Sequence, residues 1–224
     1  VRGDRFSPRF LQPDANQYLS QLRSIAEGGL PLNETWLSDA PAVDALRMPG
    51  RNVRVDILRA MLEAIRKHNS LEVRYQSLTP KRPKPTWFWI SPHAFAFDGN
   101  RWHVRAFLHQ DEQFVDLLLP RFLEVRGTAE AEAGPRDDAI WNEIVVVDLK
   151  PHPKLNDDQK NIVARDFGMK GGRLSVPVRL ALLYYFLRRL HLDFNEEEQP
   201  PHEQHIVLAN PTRIRQLLER ARLV

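Results

Sequence analysis

The sequence predicts an α+β protein on three observations. An amphipathic helical stripe, Ile57, Met61, Ala64 and Ile65 flanked by Leu58 and Leu62, precedes a series of short alternating apolar segments between residues 71 and 119. A second set of strand and helix patterns follows an acidic stretch over residues 129–138. Of the 224 residues, 42% are hydrophobic and 27% charged, enough to bury a substantial core and to exclude intrinsic disorder.

Taken in order, residues 13–29 (PDANQYLSQLRSIAEGG) place Tyr18, Leu22 and Ile25 near helical spacing, with Asp14 as N-cap and Gly28-Gly29 as a stop. Prolines at 31, 41 and 49 make the next stretch an extended connector around a buried Trp36. One helix over 52–69 then feeds strands at LEVRYQ (71–76), WFWIS (87–91), HAFAF (93–97), RWHVRAF (101–107) and FVDLLL (114–119), with a basic, Pro-rich loop over 79–86. Asp98-Gly99 suits a tight hairpin turn and so sets the register of the strands on either side.

The acidic residues 129–138 (AEAEAGPRDD) read as a linker. Beyond it come a strand in WNEIVVVDLKPHP (141–153) and a helix with Asn156 as N-cap, Gln159 at the capping-box position and Gly168 as stop. A long helix over 177–192 is expected to begin with Pro177 in its first turn, and its many apolar faces predict that some of Leu183, Tyr184 and Leu187 meet a partner. A strand at HIVLAN (205–210) and a last helix capped by Asn210, with Ile214, Leu217, Leu218 and Ala221 on one face, complete the chain.

Charge is uneven. Residues 47–126 hold 14 Lys and Arg against 8 Asp and Glu, whereas the segments before and after are slightly acidic. A mildly cationic solvated surface and an anionic partner both account for this, and the second would sit on the middle segment. The absence of cysteine fits a reducing compartment, so a cytoplasmic location is expected. No apolar run approaches the roughly 18 residues of a membrane span, and no secretory signal opens the chain. The first residue is Val1, which reads as a fragment of a longer protein whose N-terminal part carries a separate activity.

Motifs for most enzyme classes are missing: no HExxH, GxSxG, Walker-type phosphate loop or dinucleotide glycine fingerprint. GMKGG (168–172) follows a helix and reads as a stop and turn. The histidines show no metal-ligand spacing, and the acidic residues read as solubilising charge. The expectation is a protein without catalytic residues, metal or cofactor.

The positive feature is GNRWHVRAF (99–107), which carries Arg101, His103 and Arg105 at every second position. Alternation puts these on one face of a strand and Trp102, Val104 and Ala106 on the other, expected to be the buried one. Tyr75, Ser77, His93 and Arg121 lie on or beside neighbouring strands. Paired guanidinium forks bind phosphate or carboxylate and nearby rings offer stacking surfaces, but an ordinary half-solvated strand shows water the same pattern.

The run from NVRVDILRAMLEAI through LEVRYQSL, ISPHAFAFDGNRWHVRAF and LLLPRFLEV resembles the WYL domain of bacterial transcriptional regulators, with Trp102, His103 and Val104 at the positions that name the domain. The likeness is greatest to the branch associated with anti-phage defence loci, the BREX and CBASS regulators. It continues through WNEIVVVDLKPHPKLNDDQKNIVARDFGM and RLALLYYFLRRL and reaches back to FSPRF and YLSQL. It implies a helical linker and connector over 1–48, an Sm-like WYL β-barrel over 49–128 and a C-terminal α+β dimerisation module over 135–224, without the winged helix-turn-helix that precedes them in such regulators.

The resemblance further implies a homodimeric repressor whose barrel senses a nucleotide, oligonucleotide or nucleic-acid fragment and alters operator binding by the upstream domain. Carried over by motif, the ligand-binding residues are Tyr75, Ser77, His93, Arg101, His103, Arg105 and Arg121. Phe88 stands where this branch usually places an Arg, exchanging a cation for a stacking surface. The alternative is a module that binds single-stranded nucleic acid directly, without allosteric regulation.

Overall fold

The computed structural model describes residues 14–31, 33, 41–46, 49–80, 82–192 and 199–223. It divides into two units, Val1–Gly50 and Arg51–Val224. In the first, α1 (Ala15–Ala26) starts where the Asp14 carboxylate accepts from the N–H groups of Asn16 and Gln17, and Gly28 follows its end at φ +76°. The expected burial of Trp36 and the FSPRF element lie outside the described residues.

The second unit opens with α2 (Val55–Lys67), whose Ile57, Met61 and Ala64 are buried as the helical stripe requires. They pack on an antiparallel sheet of β1 (Asn69–Tyr75), β2 (Thr86–Phe97), β3 (Trp102–Leu108), β4 (Gln113–Leu118) and β5 (Phe122–Glu130). The order is β4-β3-β2-β1-β5, with a single 3-10 turn between β4 and β5. The ladder ends at β4 and β5, so the sheet is open, unlike the closed barrel that the resemblance implies. β5 occupies part of the stretch read as linker: its exposed outer half alternates weakly and gives little sequence signal.

The two strands read at WFWIS and HAFAF are one strand, broken in pattern by a bulge between Pro92 and Ala94. Proline cannot donate to a ladder, and the bulge accommodates it while leaving His93 unpaired and turned off the strand axis. In the hairpin turn that follows, Gly99 takes φ +89° and the Asp98 carboxylate accepts from the N–H groups of Asn100 and Arg101.

A second sheet, ordered β7-β6-β8, is made of β6 (Ile144–Pro151), β7 (Leu174–Arg179) and β8 (Ile206–Leu208). The short α3 (Ala139–Asn142) precedes β6, and α4 (Asp157–Asp166) carries the full capping box of Asn156 and Gln159. α5 (Leu183–Arg189) and α6 (Pro211–Leu223) supply Leu183, Leu187 and Ile214 to the core of this sheet. No helix among the described residues is long and apolar enough to cross a membrane.

Two expectations, the place of Pro177 and the cap at Asn210, are corrected here. Pro177 lies in β7 opposite Val146, because an edge strand tolerates a missing N–H on its open side, and the helix begins six residues later. Of the three residues some of which are expected to meet a partner, Leu183 and Leu187 are buried within the chain itself, facing the β6–β7–β8 core, and Tyr184 is half-buried. Ile214 N–H bonds to the Asn210 carbonyl at the start of α6, but Asn210 Oδ1 is buried without a partner, so its side chain is no cap.

Candidate functional site

β3 is buried on both faces. Val104, Ala106 and Leu108 join the core beneath α2, while His103 and Arg105 are buried on the opposite side. Trp102, expected inside, is 50% exposed and stacks on Phe97 across the hairpin, with ring centroids 5.0 Å apart. It is the first residue of the strand and projects past the edge of the core, so its periodicity is right and its burial is not. The polar face is likewise not the solvated one.

The residues that cover this polar face come from the segment after β5 and from α5. Arg105 donates from Nε to Asp138 Oδ2 (2.7 Å) and from Nη2 to Asp138 Oδ1 (3.1 Å), and from Nη1 to Asp116 at 3.4 Å. The bulge aims His93 at the same carboxylate, with Nε2 3.0 Å from Asp138 Oδ2 and the ring edge-on to Phe114 and Trp141. Asp138 also accepts from the Trp141 N–H as cap of α3. One carboxylate thus ties β2, β3 and the start of the second sheet together.

A parallel set lies one hairpin turn away. Asp98 Oδ2 accepts from Arg101 Nε (2.8 Å) and lies 2.9 Å from His103 Nε2. The His103 ring packs on Tyr185 of α5 at 4.7 Å, and the Tyr185 hydroxyl donates to Asp116 Oδ2 at 3.2 Å. Two clefts border these groups. One of about 210 Å³ is lined by Arg105, Asp116, Tyr184 and Tyr185 with apolar residues of α3 and α6; the other, about 190 Å³, by Asp98, Asn100, Arg101, Tyr185, Arg188 and Arg189.

Ionisation follows from this packing. Burial works to raise the Asp98 carboxyl, but hydrogen bonds from His103, Arg101 and the turn N–H groups outweigh it and hold the pKa at about 2. Burial opposes ionisation of Asp138 in the same way and is outweighed by His93, Arg105 and the Trp141 N–H, which hold it well below the usual carboxylate range. For Asp116, burial wins and raises the pKa despite Arg105 and His103. Burial and the adjoining Asp116 push the Tyr185 phenol up.

The seven residues named from sequence divide by their partners. His93, Arg101, His103 and Arg105 meet in the layer just described. Tyr75 instead belongs to the core: its hydroxyl accepts from the Leu118 N–H and its ring packs edge-on to Phe88 and Phe122. Arg121 interacts with the Tyr75 phenol and accepts through its backbone from Gln76. Ser77 Oγ turns back to Thr79. Phe88 is buried, with the Arg82 guanidinium 5.7 Å above its ring.

Sequence reasoning missed Asp138, Asp116 and Tyr185. In the sequence Asp138 reads as linker charge, yet a cation on a strand buried on both faces demands a counterion, and Asp138 three residues before Trp141 is an N-cap pattern. A further polar cluster, Ser70, Ser91, His109 and Glu132, has the order of a hydrolytic triad: Ser91 Oγ lies 2.9 Å from His109 Nε2 and His109 Nδ1 2.8 Å from Glu132. Both serines are fully buried, with Ser70 donating to the Glu130 carbonyl and Ser91 accepting from the Glu132 N–H, so the cluster fastens β5 to β1 and β2.

Residues 56–126 match the WYL domain family, and residues 144–214 match the family described as BrxR transcriptional regulator, C-terminal dimerization domain. The chain is 34% identical over 218 residues to the DNA-binding transcriptional repressor CapW of Stenotrophomonas maltophilia, an alignment covering 97% of this chain and 72% of the relative. It is 35% identical to the CapW repressor of Pseudomonas aeruginosa, covering 96% of this chain and 72% of that protein. The chain belongs to the CapW family of WYL-domain transcriptional repressors. The Asp138 network ties the WYL sheet to the segment just before the residues that match the dimerization family, and the Tyr185–Asp116 bond reaches into them. Both CapW relatives are described as DNA-binding transcriptional repressors.

Proposed function

We propose that this chain is the ligand-sensing and dimerisation core of a repressor of an anti-phage defence locus, taking a nucleotide, oligonucleotide or nucleic-acid fragment on its WYL sheet. In this reading residues 1–48 are a linker, 49–128 the sensing domain with its Sm-like strand order, and 135–224 the part that holds two protomers together. Operator DNA is bound by a domain preceding these residues, and the protein works in the cytoplasm. The exposed apolar face of β6, with Ile144 and Val146 at 52% and 41% exposure, supports a dimer contact there.

The observation that carries the reading is the Arg105–Asp138–His93 network across the two modules. An anion reaching Arg105 competes with Asp138 for the same donors, across the two modules. Ligand occupancy and module contact are then alternatives, which is what allostery requires: differential affinity for two arrangements. Tyr75, Ser77 and Arg121 stand apart from this network, Tyr75 being buried in the core beside Arg121 and Ser77 turned back to Thr79.

The test is operator binding by the full-length repressor, followed by fluorescence anisotropy with increasing mononucleotide or tetranucleotide. A tenfold or larger loss of operator affinity is expected at saturation. Ligand binding with unchanged operator affinity would refute sensing and favour the direct single-stranded-binding alternative, for which the half-exposed Trp102 and Phe97 offer a stacking surface.

A further inference from the structure

Asp116 is a buried carboxylate that its neighbours hold weakly. The Arg105 guanidinium is shared between two carboxylates, and Asp138 takes its two shorter bonds, at 2.7 and 3.1 Å. Asp116 is left with Arg105 Nη1 at 3.4 Å and the Tyr185 hydroxyl at 3.2 Å, both longer than well-formed hydrogen bonds of their kinds. Its side chain is only 11% exposed, and burial raises its pKa despite Arg105 and His103. Burying a carboxylate without strong donors is costly, so this one has acceptor capacity to spare.

Asp116, Arg105 and Tyr185 line the cleft of about 210 Å³, and the rest of its lining is aromatic or apolar: Tyr184, Ile140, Leu180, Ala181, Leu218 and Ala221. The Tyr184 and Tyr185 rings meet edge to face with centroids 5.6 Å apart. Drug-sized ligands occupy pockets from about 300 Å³ upward, so this cleft suits a single flat ring system. Apolar walls favour the faces of such a ring, while its edge has to offer N–H donors to Asp116 and an acceptor to Arg105 Nη1. A phosphate placed here would set its charge against the carboxylate.

Among the nucleobases, guanine presents that edge, with N1–H and the N2 amino group side by side as donors and the O6 acceptor next to them. Adenine has an acceptor at N1, and hypoxanthine lacks the N2 amino group. We propose that this cleft is a guanine pocket, in which Asp116 accepts from N1 and N2 of the base and Arg105 Nη1 donates to O6. The inference rests on the ligand reading above and names the base that the site takes. It uses Nη1, the nitrogen of Arg105 that Asp138 leaves unbonded.

The test measures binding of guanosine, inosine and adenosine 5′-monophosphates to this chain by isothermal titration calorimetry. The guanine nucleotide should bind at least about tenfold more tightly than either of the others, the difference that a charge-assisted hydrogen bond makes. Asp116→Asn should bring the three affinities together, a change in selectivity that a loss of folded protein does not produce. Ala221→Phe fills the cleft from α6 while leaving every polar group in place, and should weaken the guanine nucleotide; it keeps the test valid if Asp116→Asn misfolds. Equal wild-type affinities, a guanine preference that Asp116→Asn retains, or a guanine affinity that Ala221→Phe leaves unchanged overturns the pocket alone. A wild type that binds none of the three overturns the pocket, and if a tetranucleotide also fails to bind, the nucleic-acid reading falls with it.

Discussion

Arg105 of β3 and Asp138, the cap of α3, face each other in a buried two-pronged ion pair, Nε to Oδ2 at 2.7 Å and Nη2 to Oδ1 at 3.1 Å. The pair is sequestered from water, and removing one partner leaves an uncompensated charge. Asp138→Ala should therefore cost about 3 to 5 kcal/mol in urea unfolding at neutral pH. Arg101→Gln, at a partly exposed site, should cost less than about 1 kcal/mol. Equal costs would show that the Asp138 network bears no more of the fold than the turn does.

Acid should loosen the same layer. The carboxyls of Asp98 and Asp138 titrate below their unfolded values of about 3.9, so each contributes stability that is present above pH 4 and is lost as pH falls through the folded value. For Asp98 that window runs from about 4 down to about 2. Urea midpoints measured from pH 5 to pH 2 should fall steeply for the wild type and less steeply for Asp98→Asn, which has no charge to lose. Parallel slopes would refute the assignment.

Trp102 and Ile90 should exchange the ranks that hydrophobicity gives them. Ile90 is fully buried in the sheet core, and Ile90→Ala should cost about 2 to 5 kcal/mol. Trp102 loses only its exposed stack on Phe97, so Trp102→Ala should cost about 0.5 to 1.5 kcal/mol. Thermal unfolding of the two variants decides the order.

α4 has no fully buried residue and touches the second core through the partly buried Val163, so its local bonds carry much of its stability. Asn156→Ala removes the side-chain acceptor for the Gln159 N–H and should cost about 1 kcal/mol. Amide exchange should rise in residues 157–166 and stay unchanged in the first sheet. A uniform rise would mean that α4 unfolds only with the whole molecule.

The helices and most strands of the sheet were legible because their signals are local: the Ile57–Met61–Ala64 stripe, the Asn156–Gln159 box and the Gly99 turn each sit within a few residues. Pro177 misled because its place on an edge strand depends on which strand lacks a neighbour, a tertiary fact. The candidate site was half legible. Alternation found Arg101, His103 and Arg105 as one face, but whether that face meets water depends on Asp138 and Tyr185, distant in sequence from the strand they cover. Asp138 sits among solvated acidic residues that composition cannot tell from it.

The bond between Arg105 and Asp138 also fixes where this protein can be cut and recombined. Composition puts the seam in the acidic run, yet the carboxylate at its end completes the first sheet while capping the first helix of the second module. A chimera that joins this sheet to a foreign dimerisation module after residue 137 would bury a guanidinium with half its counterions. Grafts that carry residues 138–141 along with the sheet keep the charge matched, so sensor and dimeriser are exchangeable parts only when the junction is drawn by electrostatics.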